Sequence, residues 1–136
     1  MRNRVRGLFP VSLPIVGSVN GGPPAEGWPY DGGSIEILGI DRPDGCVVVR
    51  VLGDSMAGSG IFDGDLVVVR RNGGDAEPGQ IVVANVYDEL TLKHWWPDES
   101  GRFVDLVPGS EEFPTIRSEL ALVWGVLVGR VEQTDV

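Results

Sequence analysis

The sequence has one cysteine, one histidine, few aromatic residues and no long apolar run, and each shortage removes a class of answers. Cys46, standing alone, excludes an internal disulfide, and within Cys46-Val47-Val48-Val49 it reads as a small buried hydrophobe rather than a nucleophile. With His94 as the lone histidine, a structural zinc site lacks ligands, and no metal or other cofactor is expected. Positive charge is also scarce: 11 lysines and arginines stand against 20 acids, a net charge of −9. Phosphate binding relies on clustered lysine and arginine, so direct nucleic-acid binding is not expected, and Arg2, Arg4 and Arg6 read as a short solvated arm. No window approaches the ~20 apolar residues of a bilayer span. Pro10, Ser12 and Pro14 interrupt any signal-peptide core, which leaves a soluble cytoplasmic protein as the expectation.

Helical periodicity is missing as well. No stretch of ten or more positions repeats apolar residues every 3.6. Twenty glycines and ten prolines divide the chain into short runs dense in valine, isoleucine and leucine, the pattern of a β-rich domain. Strands are predicted over 34–40, 47–52, 65–70, 80–87, 89–95, 102–106 and 120–130, with Asp88-Glu89 as a tight connection and Met56-Ala57-Gly58-Ser59 as one short helical turn. Short strands at this spacing fit a compact, curled sheet. Length permits a single domain with a real core. Residues 1–33, broken by prolines and glycines, read as an extended, flexible arm ahead of a β-rich domain over 34–136.

Two short signals carry the chemistry. Gly53-Asp54-Ser55-Met56 follows an apolar strand, and Leu90-Thr91-Leu92-Lys93 lies on another, with Lys93 thirty-eight positions beyond Ser55. A serine hydroxyl is a poor nucleophile until a base takes its proton, and a lysine can do so once burial lowers its pKa from about 10.4. Each residue also has a plain reading. Ser55 alone suits a polar turn or helix cap, and Lys93 alone suits a solvated strand position. Strand alternation places Leu90, Leu92 and His94 on one face, and Thr91, Lys93 and Trp95 on the other. Asp63-Gly64-Asp65 reads as a two-carboxylate turn rather than a metal site. Glu111-Glu112 reads as a solvated loop, and Trp95-Trp96 as one packed ring and one partly exposed.

Taken in order, these pieces resemble the Ser-Lys self-cleaving peptidases of the LexA repressor and UmuD family. Gly53-Asp54-Ser55-Met56 matches the nucleophile motif, and Gly60-Ile61-Phe62-Asp63-Gly64-Asp65-Leu66 the turn after it. Thr91-Leu92-Lys93 matches the strand carrying the base. Leu106-Val107-Pro108, Glu112-Phe113 and Val123-Trp124-Gly125-Val126-Leu127 match the closing segments. The resemblance implies a curled β peptidase fold, with Ser55 as nucleophile, Lys93 as general base, and the backbone of Asp54 and Ser55 as the oxyanion site. It also implies a cleavage segment in Leu13–Pro24, with the bond at Gly21–Gly22 and Val19 docked in an apolar pocket upstream. The family usually has alanine or cysteine where Gly21 stands, and glycine makes the productive pose harder to populate.

The resemblance further implies a homodimer, cleaved under stimulation by a RecA-type filament in the DNA-damage response. The short segment ahead of the bond, too proline-broken for a helix-turn-helix, is similar to UmuD, whose trimmed form serves an error-prone Y-family polymerase. The alternative is the C-terminal or phage-encoded regulatory and dimerisation module of a LexA-like repressor, which binds a partner with or without cutting. Signal peptidases share a Ser-Lys pair, but no membrane segment supports that reading.

Overall fold

The computed structural model describes residues 9–19, 33–71 and 75–132. It contains nine strands: β1 (Val11–Val19), β2 (Ser34–Ile37), β3 (Cys46–Val51), β4 (Leu66–Arg70), β5 (Ile81–Val86), β6 (Glu89–Pro97), β7 (Val104–Val107), β8 (Ile116–Ser118) and β9 (Leu122–Arg130). They form one sheet in the order β2-β1-β3-β4-β9-β5-β6-β7-β8. Every pairing is antiparallel except β1 beside β3. Among the described residues the single helical turn is 3-10, Ala57–Ser59.

The sheet curls because its ladders are interrupted. Register shifts fall between Ile15 and Gly17, between Val68 and Val69, and between Val83 and Ala84. An extra residue in one strand bends it and increases the local twist. The curl brings β1 into contact with β6, with four strands between them in the sheet order. Period-2 alternation then divides the apolar residues between two faces. Val49, Val51, Val67, Val69, Val83, Leu90 and Leu92 share one core with Met56 and Ile61. Val48, Leu66 and Val68 face the other way, against Leu13 and Cys46. A third cluster joins Val82 and Ala84 to Val104 and Leu106. Both faces of β3 and β4 are therefore apolar, which explains valine runs where a half-buried strand would alternate with polar residues.

The β-rich expectation and the seven strands from β2 to β7 and β9 stand, with shifts at their ends. Two strands were not expected. β8 is only three residues long, and Arg117 within it bonds Asp105 (3.1 Å) and Asp98 (2.8 Å). The other is β1, within residues read as an extended arm. Leu13 and Val19 are buried, Val11–Pro14 pair with β2, and Ile15–Val19 run along β3. Pro14 and Gly17 hid this strand. The registered pairs with β3 begin only at Ile15, so Pro14, which has no N–H to give, precedes that ladder.

Truncating buried Leu106 to alanine should lower unfolding stability by about 2–5 kcal/mol, while Leu122→Ala, at a position 69% exposed, should change it by less than about 0.5 kcal/mol. Urea denaturation midpoints of the two variants check the contrast.

Candidate active site

The site begins with the loop between β3 and β4. Gly53 leaves β3 with φ of +89°, a left-handed backbone that favours glycine, and turns the chain back over the sheet. Its N–H donates to Asp63 Oδ1 at 2.8 Å, the Gly64 N–H donates to the Val51 carbonyl at 2.7 Å, and Asp65 Oδ2 accepts the Phe62 N–H at 2.8 Å. Asp63 thus ties the turn to the segment that presents Ser55, and Asp65 closes the turn itself. Among the described residues, no cluster of three or more histidine, cysteine or acidic side chains could hold a metal.

A second loop clamps the other side. The N–H groups of Gly109 and Ser110 both donate to the Ser55 carbonyl, at 2.8 and 3.2 Å. The Gly58 N–H donates to Ser110 Oγ at 2.9 Å. The two loops touch so closely that a Cβ on Gly58 would lie 1.9 Å from the Gly109 carbonyl oxygen. Asp54 faces the same clamp, its carbonyl accepting from Ala57 N–H at 3.0 Å and from Ser110 Oγ at 3.4 Å. In a trans peptide the C=O and the following N–H point oppositely. The Ser55 N–H is therefore turned away from the clamp.

Ser55 and Lys93, thirty-eight positions apart, come into contact: Lys93 Nζ lies 3.1 Å from Ser55 Oγ. Both residues are buried, with 5% of Lys93 and 7% of Ser55 exposed. Lys93 Nζ also donates to Thr91 Oγ1 at 2.7 Å and to the Leu92 carbonyl at 3.2 Å. Desolvation disfavours the ammonium form and lowers the Lys93 pKa to about 8. The neutral amine has two N–H groups and one lone pair. With the N–H groups directed at Thr91 and Leu92, the lone pair faces the Ser55 hydroxyl, an arrangement able to receive its proton.

β6 places Leu90 and Leu92 in the core, while Thr91 and Lys93 line the cavity, which Leu90 also borders. Thr91 gained no role in the sequence reading, although its i, i+2 spacing from Lys93 on a strand was visible. His94 is occupied elsewhere, its Nε2 2.9 Å from Ser59 Oγ and its Nδ1 3.2 Å from the Gly79 carbonyl. Trp95 packs against the third core and Trp96 is half exposed.

The pair opens into a cavity of about 390 Å³ lined by Leu52, Asp54, Val86, Glu89, Phe113 and Ile116 as well as Ser55, Thr91 and Lys93. β1 arrives at its edge. Val19 is fully buried among Met56, Leu90 and Leu92, and its carbonyl accepts the N–H of Leu52, a cavity residue, at 3.1 Å. Gly21 and Gly22 lie outside the described residues.

Among the described residues no helix is long and apolar enough to cross a membrane. Residues 14–128 match the Peptidase S24-like family. The LexA repressor of Leptothrix cholodnii is 36% identical over 132 residues, which cover 91% of this chain and 54% of that protein. The LexA repressor of Delftia acidovorans is 35% identical over 133 residues, 93% of this chain and 57% of the relative. That of Erwinia tasmaniensis is 34% identical over 122 residues, covering 86% and 59%. The chain therefore spans little more than half the length of these relatives. With a family match over most of its length, the chain belongs to the S24-like peptidases.

Proposed function

We propose that this domain is a serine peptidase that cuts its own chain at Gly21–Gly22, with Ser55 as nucleophile and Lys93 as general base. The observation that carries the reading is the 3.1 Å approach of a desolvated lysine to a buried serine at the edge of a cavity. Neutral Lys93 takes the Ser55 proton as Oγ attacks the Gly21 carbonyl carbon. Backbone N–H groups at Asp54 and Ser55 stabilise the oxyanion. The new ammonium then protonates the departing Gly22 nitrogen, leaving Gly21 esterified to Ser55. Lys93 next deprotonates a water, which hydrolyses the ester and frees Ser55.

Val19 supplies the docking. Its burial beside Leu90 and Leu92 holds the chain two residues short of the bond, so the substrate is tethered and orientation replaces affinity. The cellular setting is a narrower question. The similar proteins named above are LexA repressors, which favours a repressor-type regulatory and dimerisation module in the DNA-damage response. In that setting the chain acts as a homodimer, with a RecA-type filament stimulating cleavage. A UmuD-like polymerase accessory is the second setting. It is tested by whether the cleaved protein, and not the uncleaved one, co-purifies with a Y-family polymerase.

Intact mass spectrometry of purified protein tests the reaction. Wild-type protein incubated at alkaline pH should lose a fragment ending at Gly21, and Ser55→Ala and Lys93→Ala should lose none. A wild type that stays intact at every pH, with an activated RecA filament present, would count against cleavage.

Because only neutral Lys93 is a base, and its folded pKa is about 8, the rate should rise about tenfold per pH unit below 8 and level off above it. A rate flat from neutral to alkaline pH would contradict this role for Lys93.

Thr91→Val removes an acceptor that directs Nζ, so cleavage should slow roughly 10–100-fold, with Thr91→Ser restoring it. Single-turnover cleavage rates of the three proteins check this.

A further inference from the structure

β1 is paired with one neighbour along its first half and with the other along its second. Val11–Pro14 pair with β2, and Ile15–Val19 pair with β3. Its side chains enter two separate cores: Leu13 packs with Val48, Leu66 and Val68, and Val19 with Val49, Val51 and Met56. The last rung, from the Leu52 N–H to the Val19 carbonyl, lies two residues before Gly21. A cut at Gly21–Gly22 therefore breaks one covalent connection and none of these contacts. β2, which flanks β1 on its other side, belongs to the downstream piece.

We propose that cleavage does not release the N-terminal piece: its strand β1 stays seated between β2 and β3 as a non-covalent strand subunit. The slot is then a strand-binding interface whose occupant is this segment of the chain itself. The inference rests on the proposed bond, since a cut upstream of Val11 would leave β1 covalently attached. Recognition combines two backbone ladders with pockets for alternate side chains, the chemistry by which added strands bind a sheet. Leu13 and Val19 set the register, and a slip of one residue would expose both. Scission and departure become separate events, and the second requires β1 to be unzipped from both neighbours. Any function that depends on losing the N-terminal piece would then be controlled by whatever opens this slot.

The test separates retention from self-cleavage by making the cut externally. Full-length protein carrying Ser55→Ala, with residues 22–27 replaced by a site-specific protease sequence, is cut by the added protease and analysed under native conditions. The expected result is one folded species with the mass of the uncut chain plus one water, both pieces co-eluting in size-exclusion chromatography at low micromolar concentration. Separation of the pieces, with the downstream piece eluting alone while the uncut control is folded, would overturn the proposal. Leu13→Asp should weaken retention at least about tenfold by burying a charge in the slot, while Ser12→Asp, at an exposed position, should not. Equal retention by both variants would mean that the piece is held by something other than this slot. Failure of the wild type to cut itself would bear on the proposed reaction alone.

Discussion

Everything at this site depends on the desolvation of one amine. A lysine in water holds its proton through neutral pH and would face Ser55 as a spent base. Burial of Lys93 in the curled sheet brings its pKa down to about 8, so a fraction of roughly a tenth is neutral at pH 7. Desolvation by burial is the cause of the shift. Burial of a lysine is tolerable only where its hydrogen-bonding groups are met, and Thr91 Oγ1, the Leu92 carbonyl and Ser55 Oγ each lie within 3.2 Å of Nζ.

The sheet exists, from this viewpoint, to hold two distant segments still against each other. β6 fixes Lys93 through its pairing with β5, where Val82 stands opposite. The loop after β3 fixes Ser55 through its ties to Asp63 on one side and to Gly109 and Ser110 on the other. Met56, immediately after Ser55, is fully buried in the same core as Leu92, immediately before Lys93. Ser55 and Lys93 are thus anchored from behind by one apolar cluster. The same cluster receives Val19, which links the proposed substrate segment to the machinery that would cut it.

Much of this was legible in the sequence. The valine-rich runs of β3, β4 and β5 announce strands because β-branched residues between glycines have few other uses, and alternation along β6 placed Lys93 opposite Leu92. The family resemblance supplied the partnership of Ser55 and Lys93, which spacing alone could not, because contact across thirty-eight residues depends on how the sheet curls. Local signals failed where tertiary contacts overrule them. Pro14 and Gly17 argue against a strand, yet β1 forms because Leu13 and Val19 gain two cores and the backbone gains neighbours on both sides. The role of Gly109 and Ser110 was equally hidden, since nothing local marks a loop whose N–H groups serve a carbonyl more than fifty residues away.

The most direct measurement of the central claim is the pH dependence of Ser55 labelling by a serine-directed phosphonylating reagent, read by mass spectrometry on full-length protein and on Lys93→Ala. Labelling of Ser55 with a midpoint near pH 8, lost in the lysine variant, is the result expected of a hydroxyl activated by a desolvated amine. Labelling that is independent of pH, or that survives the loss of Lys93, would contradict it.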